Sequence, residues 1–253
     1  MTAGLLTKDL IQSFNEFSIE LFADDLAALR DALNRERAHV LGRSMGNCMA
    51  QELALNCPDK VDKLILHAAD CGDEEMVLPG PEVFDILNDI AGTPQEREES
   101  LLMTLFPQKW LEEHPDPRTY FAAMTETSSP ENIERQYQGW ENWNGTDSRL
   151  PQITQPTLLV TRTDDVLTPP QDSLIVAGGI LGAWLVQLKD EGMVRCISVQ
   201  KNSAELCLLF FETNYLLVWW PSADFHVRSF SLLSILGALR QTGKVQFLSR
   251  RIK

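Results

Sequence analysis

Arg37-Ala-His-Val-Leu-Gly-Arg-Ser-Met-Gly46 runs directly into Asn47-Cys-Met-Ala-Gln-Glu-Leu-Ala-Leu-Asn56. The first part, Ala38–Leu41, is a short apolar run and reads as a buried strand. Cys48–Asn56 reads as a helix stopped ahead of Pro58. Between them lies Gly42-Arg43-Ser44-Met45-Gly46, a G-x-S-x-G pentapeptide. Three fixed positions in five occur often by chance, and the strand before and helix after are what make them specific. A serine at such a bend is held in a strained backbone conformation, so its hydroxyl projects past the strand end. Gly42 and Gly46 are expected where β-carbons would collide with each other and with Ser44. The helix that follows points its dipole and unbonded N–H groups at the same spot, favouring an oxyanion there. Ser44 is the candidate nucleophile, and the backbone N–H of Met45 is the candidate oxyanion donor.

Outward from this bend, Val61–Ala69 is a second β-like run centred on Leu64, Ile65 and Leu66. Strand, tight turn, helix and strand together give the βαβ grammar of a parallel sheet. Upstream, Glu20–Leu33 spaces Leu21, Leu26, Leu29 and Leu33 as a helix would. Downstream, Asp73–Leu150 changes character. Helical stretches at Glu82–Ile90, Gln95–Phe106, Lys109–Glu113 and Asn132–Trp143 are punctuated by prolines at 94, 107, 115, 117 and 130. They read as an inserted helical cap, with Trp110, Trp140 and Trp143 as packing or pocket-lining groups. The β signal returns at Thr157–Thr161, a helix begins near Pro170, Gly178-Gly179 breaks it, and Ala183–Leu188 is another strand. The expected fold class is α/β, a mostly parallel sheet with flanking helices. Residues 1–72 and 151–190 form its core, 73–150 the cap, and 191–253 an atypical tail.

Composition removes several classes of function. The 253 residues hold 22 basic and 36 acidic side chains, for a net charge of −14, which argues against a phosphate-backbone binder. Nucleic acid is therefore not an expected partner. Five cysteines with no C-x-x-C pair suggest neither a zinc site nor a disulfide framework, and a reducing cytoplasm is the expected compartment. No leader is read in residues 1–10. The nearest approach to a membrane anchor, Leu206–Phe211 with Tyr215–Trp220, is interrupted by Glu212, Thr213 and Asn214.

Phe22-Ala-Asp-Asp-Leu-Ala-Ala-Leu29, the pentapeptide with its flanks, and Ala50-Gln-Glu-Leu-Ala54 resemble the α/β-hydrolase fold family, of the esterase, lactonase and haloperoxidase-like type. Pro156-Thr-Leu-Leu-Val-Thr-Arg-Thr-Asp-Asp-Val-Leu-Thr-Pro-Pro170 resembles that family's acid loop. The likeness covers about Ser18 to Lys189. It implies a serine nucleophile, a carboxylate after a later strand and a histidine near the C-terminus. Ser44 matches the nucleophile. Asp165 matches the carboxylate, because the family's acid stands four residues before a proline and Pro169 fills that place. Asp164 reads as a turn residue, Asp70 is an alternative acid, and Arg162 stands where the family usually has glycine. The resemblance implies no metal or organic cofactor and a small ester, lactone or related carbonyl compound as substrate.

Two departures from the family pattern stand out. Its histidine would follow Lys189-Asp190 in a Gly-His-Gly-like segment, and this chain has Glu191-Gly192-Met193. His39 and His67 lie in expected strands, His114 in the cap, and His226 is late in the chain without family context. The family's first strands and the loop giving a second oxyanion donor would precede Ser18 and have no counterpart here. One base lost from an alanine codon would turn Lys-Asp-Ala-Gly-His-Gly into Lys-Asp-Glu-Gly-Met. Another reading frame can also turn the tail from Ile197 into a final helix of the family's kind. A frameshift near Glu191 is thus expected, and the nucleotide sequence decides it. Reduced stability relative to an intact relative is expected as well. Two functions remain open at this point: a serine hydrolase, or a catalytically silent hydrolase-like remnant or binding protein.

Overall fold

The computed structural model describes residues 17–72, 74–88, 93–106, 108–113, 116, 129–188 and 245–247. One sheet organises them. Its strands β1 (Ala38–Arg43), β2 (Val61–His67), β3 (Thr157–Arg162) and β4 (Trp184–Leu188) lie parallel in sequence order. A three-residue strand β5 (Val245–Phe247), drawn from the atypical tail, pairs antiparallel with β4. Arg43 sits opposite His67 and His67 opposite Val160, so the strands finish along one edge, where open parallel sheets place their ligands.

Helix α1 (Ile19–Ala32) precedes β1, α2 (Met45–Asn56) joins β1 to β2, and α7 (Pro170–Gly179) joins β3 to β4. Between β2 and β3 come α3 (Pro81–Asn88), α4 (Pro94–Leu105), α5 (Gln108–Glu113) and α6 (Pro130–Glu141), at the stretches where cap helices were expected. Side-chain oxygens close three of the helix starts. Ser18 accepts from Leu21 N–H at 3.0 Å, Ser129 accepts from Asn132 N–H at 3.2 Å, and Thr93 forms a capping box with Glu96.

The main core joins α1, α2 and α7 to one sheet face. Ala23, Ala27, Ala50, Leu53, Leu64, Leu66, Leu159 and Val176 all belong to it. In three places the structure departs from the sequence reading. Helix α1 is where the leucine spacing put it, yet those leucines are on its outer side, with Leu29 56% and Leu33 62% exposed. Its inner face is Ile19, Ala23 and Ala27, because small residues let α1 lie close against Ala50 and Ala54 of α2. Strand β1 is not buried. Among the described residues it is the sheet's edge, and Leu41 is 52% exposed. Gly178-Gly179 forms the last turn of α7, where a break had been expected.

The tryptophans divide. Trp143 is buried against Ile19 and Cys48, and Trp140 is half-buried in the same cluster. The Trp110 side chain lies outside the described residues, as do Cys196, Cys207, His114, His226 and almost all of the 191–253 tail. Beyond α6 the chain is fastened to the back of α2. Trp143 Nε1 donates to Glu52 Oε1 at 2.8 Å, Arg149 donates to both Glu52 oxygens, and Thr146 donates to Gln51 Oε1 at 2.6 Å. No described helix is long and apolar enough to cross a membrane.

Candidate active site

Ser44 is a single-residue hinge between β1 and α2. Its φ of 51° and ψ of −130° lie in a region that L-residues rarely adopt, the strain anticipated for a projecting serine. Two backbone bonds hold it there. Its N–H donates to His67 O at 3.1 Å, and its carbonyl accepts from Asn47 N–H at 2.7 Å. Ser44 is exposed, and no cap bond occupies its hydroxyl. Gly42 is required for this bend: a β-carbon there would overlap the Gly46 carbonyl and stand 2.7 Å from Asn47 Cα. Gly46 is not required in the same way. A β-carbon there would meet nothing within 4 Å, so the expected mutual collision is one-sided. Met45 opens α2, and N–H groups of a helix's first turn have no intrahelical acceptor.

Asp165 follows β3 at the same edge of the sheet and is 5% exposed. Its Oδ1 accepts from Leu167 N–H at 3.1 Å and Thr168 N–H at 2.9 Å. Its Oδ2 is buried and has no hydrogen-bond partner. Burial pushes the carboxyl above its ordinary range. The two N–H bonds, the Arg162 guanidinium and His67 pull the other way. Arg162 itself is completely buried. Asp164, by contrast, is exposed, as a turn residue would be.

The alternative acid has other work. Asp70 Oδ1 accepts from Gly72 N–H at 3.1 Å and faces Cys48 Sγ at 3.6 Å, while Oδ2 meets Asn47 Nδ2 at 3.5 Å. Its backbone carbonyl accepts from Gln51 Nε2 at 2.8 Å. Both carboxyl oxygens therefore face groups that tie the end of β2 to α2. Burial raises Asp70 to about 6.

Of the two histidines among the described residues, His67 is the one beside Asp165. Burial first, then Arg162 and Arg43, push its imidazole down to about 3, against the pull of Asp165. An imidazole held so low is neutral at pH 7 and a poor proton acceptor. His39 lies on β1 beside Asp62, 3.2 Å from its carboxylate. Among the described residues no group of His, Cys, Asp and Glu could hold a metal ion. Sequence reasoning missed Arg162 as a charge beside Asp165, and its place next to the acid loop was the available signal. Over the same edge, Ala68, Phe106 and Leu167 pack with Leu102 and Leu111, joining α4 and α5 to the Asp165 loop.

The α/β hydrolase fold model matches residues 6–194, and the chain belongs to that family. A protein of Agrobacterium fabrum that carries the name carbamate hydrolase RutD is 27% identical over 176 residues, 65% of this chain and 63% of the relative. The chain thus spans less than two thirds of that relative's length. A 2-hydroxy-6-oxononadienedioate/2-hydroxy-6-oxononatrienedioate hydrolase of Cupriavidus pinatubonensis is 29% identical over 170 residues, 66% of this chain and 59% of that one. The enol-lactonase of Burkholderia xenovorans LB400 superimposes with a TM-score of 0.67 at 20% identity, over 78% of this chain and 74% of its own.

Proposed function

We propose that this chain is a serine hydrolase for a small ester, lactone or carbamate-like carbonyl compound, with Ser44 as nucleophile. The observation that carries this reading is Ser44 itself: an exposed residue held at positive φ on a helix N-terminus, at the edge of a parallel sheet where the strands end. Ser44 Oγ attacks the carbonyl carbon and its proton passes to a base. The N–H of Met45 stabilises the oxyanion, the leaving group departs with the proton, and water releases the acyl group. Asp165 orients and stabilises the protonated base. The helices between β2 and β3 form a cap over this edge, which the contact of α4 and α5 with the Asp165 loop supports. The names of the relatives favour hydrolysis of a carbonyl carbon bonded to oxygen, nitrogen or carbon.

A fluorophosphonate probe tests the reading. Covalent labelling at Ser44, abolished in Ser44→Ala, is the expected result. A folded protein that never labels would leave the second reading, a silent hydrolase-like binding protein. That second reading has its own support: Glu191-Gly192-Met193 stands where the family pattern has histidine.

A further inference from the structure

Charge is divided along this chain. Residues 225–253 hold six basic side chains and no acidic one, whereas residues 1–224 hold 16 basic and 36 acidic. Three of the six, Arg250, Arg251 and Lys253, follow β5 within six positions. The strand fixes where they can go. It runs antiparallel to β4, with Val245 opposite Leu188 and Phe247 opposite Val186, so β5 points towards Trp184, the first residue of β4. A chain advances at most about 3.6 Å per residue, which tethers Arg250 and Arg251 within about 15 Å of Phe247.

The corner they are tethered to is apolar and exposed. Residues 180–183 make a tight turn ahead of β4, closed by Ala183 N–H donating to Ile180 O at 3.2 Å, with Gly182 at a φ of 77°. Ile180 is buried and roots the turn, and Leu181 stands at its tip, 90% exposed. Trp184, three residues on, is 39% exposed. A lone exposed leucine is ordinary. Here one is held out by a rigid turn, with a half-open indole nearby in sequence and two arginines tethered within reach. An apolar tip, an interfacial aromatic and cations together suit the boundary of a bilayer. A soluble polyanion would use the arginines and have no use for the leucine.

We propose that Leu181, Trp184, Arg250, Arg251 and Lys253 form a docking corner for an anionic lipid surface, with Leu181 entering the acyl boundary and the basic side chains meeting the headgroups. The acidic remainder of the chain confines the contact to this corner, since charges more than about 8 Å from the surface are screened at physiological salt. Trp184 begins β4, whereas Ser44 lies where the parallel strands end. Docking therefore leaves the Ser44 edge turned to water, and the inference stands apart from the hydrolase reading.

Flotation of the full chain with phosphatidylcholine vesicles, with and without phosphatidylserine, tests the corner. Each basic side chain at such a surface is worth about fivefold in partition. Binding to the anionic vesicles is therefore expected to exceed binding to the neutral ones by at least about tenfold. It should fall between about 0.1 and about 0.5 M salt. Arg250→Gln combined with Arg251→Gln is expected to lose at least about tenfold, and Leu181→Ser about fivefold. Urea midpoints equal to the parent's establish that the variants fold, and if one does not, the other decides. No binding to anionic vesicles, or equal binding to both kinds, would overturn the proposal. So would binding unchanged in both variants, which would place the contact elsewhere in the chain. Loss in the arginine variant with none in Leu181→Ser is the behaviour of a site for a soluble polyanion, and it too would overturn the lipid surface.

Discussion

Ser44 and Asp165 stand at the ends of strands in one sheet, and opposite means hold them there. Ser44 is exposed and placed by its backbone, through positive φ and bonds to His67 O and Asn47 N–H. Asp165 is buried and held by its side chain, through two N–H groups on one oxygen. A place fixed by backbone depends on what its neighbours leave out, and here that is the β-carbon of Gly42. The largest effect expected is therefore at a residue with no side chain. Gly42→Ala would force β1 away from α2, at a cost of about 3 kcal/mol or more, with loss of Ser44 labelling. Asp165→Asn at the other corner should stay within about 1 kcal/mol of the parent, since its two backbone bonds survive. Urea unfolding of both variants checks the contrast, and equal losses would break it.

Behind Ser44, the helix that presents it is anchored by one buried charge. Glu52 is fully buried, and its oxygens accept from Trp143, Arg149 and Asn56. Arg149→Met would leave that carboxylate with the indole N–H and the Asn56 amide, 3.2 Å away. Removing one partner of a buried pair is strongly destabilising, and Arg149 is partly open to water, so about 2–3 kcal/mol is expected. Urea unfolding gives the loss. Ser44 labelling measured well below the transition should fall as well if α2 shifts, and should hold if only global stability suffers.

How much of this was legible follows the same division. The bend could be read because its determinants are contiguous: the apolar run, Gly42, Ser44 and a helix that starts at once. Asp165 was reached by likeness to a family motif and its spacing from Pro169. Its burial and its unpartnered oxygen could not be read, since both depend on residues distant in sequence. The same limit explains α1. Leucines at helical spacing mark a helix, but which side is buried was decided by Ala50 and Ala54 on another element. Strand β1 misled for a related reason. An apolar run looks the same in the middle of a sheet as at its edge, and only pairing separates them. The ties of Asp70, the alternative acid, to Asn47 and Cys48 could not be read either, because they join residues more than twenty positions apart.

Asp70 also gives the contrast a pH dependence. Its folded value of about 6 lies above the ordinary 3.8 because it is buried, and Asp172 nearby is raised to about 7, by burial first and by Asp70 in addition. In each case the unfolded chain loses its proton first. The stability is fully present below about pH 4 and is lost as pH rises through the folded values. Across pH 4 to 7 the fall expected from Asp70 is of order 2 kcal/mol. Asp70→Asn should flatten it, directly and by relieving Asp172. Urea midpoints measured at intervals of pH decide this, and a variant that falls as steeply as the parent would locate the dependence elsewhere, with Asp165 the next carboxyl to examine.

The smallest effect expected tests the edge itself. Strand β3 is buried at every residue, whereas β1, which carries Ser44, has Leu41 about half exposed and no described neighbour on its outer side. Leu41→Lys removes an apolar side chain that water already reaches, so stability should move by no more than about 0.5 kcal/mol. Association should respond more than folding. An unpaired strand with an apolar side chain invites other chains, and lysine at such an edge discourages them. Light scattering on concentrated protein is expected to fall in the variant while its urea midpoint stays put. A stability that drops by several kcal/mol would mean that Leu41 is packed, and with it that the strand behind Ser44 is as enclosed as the strand behind Asp165.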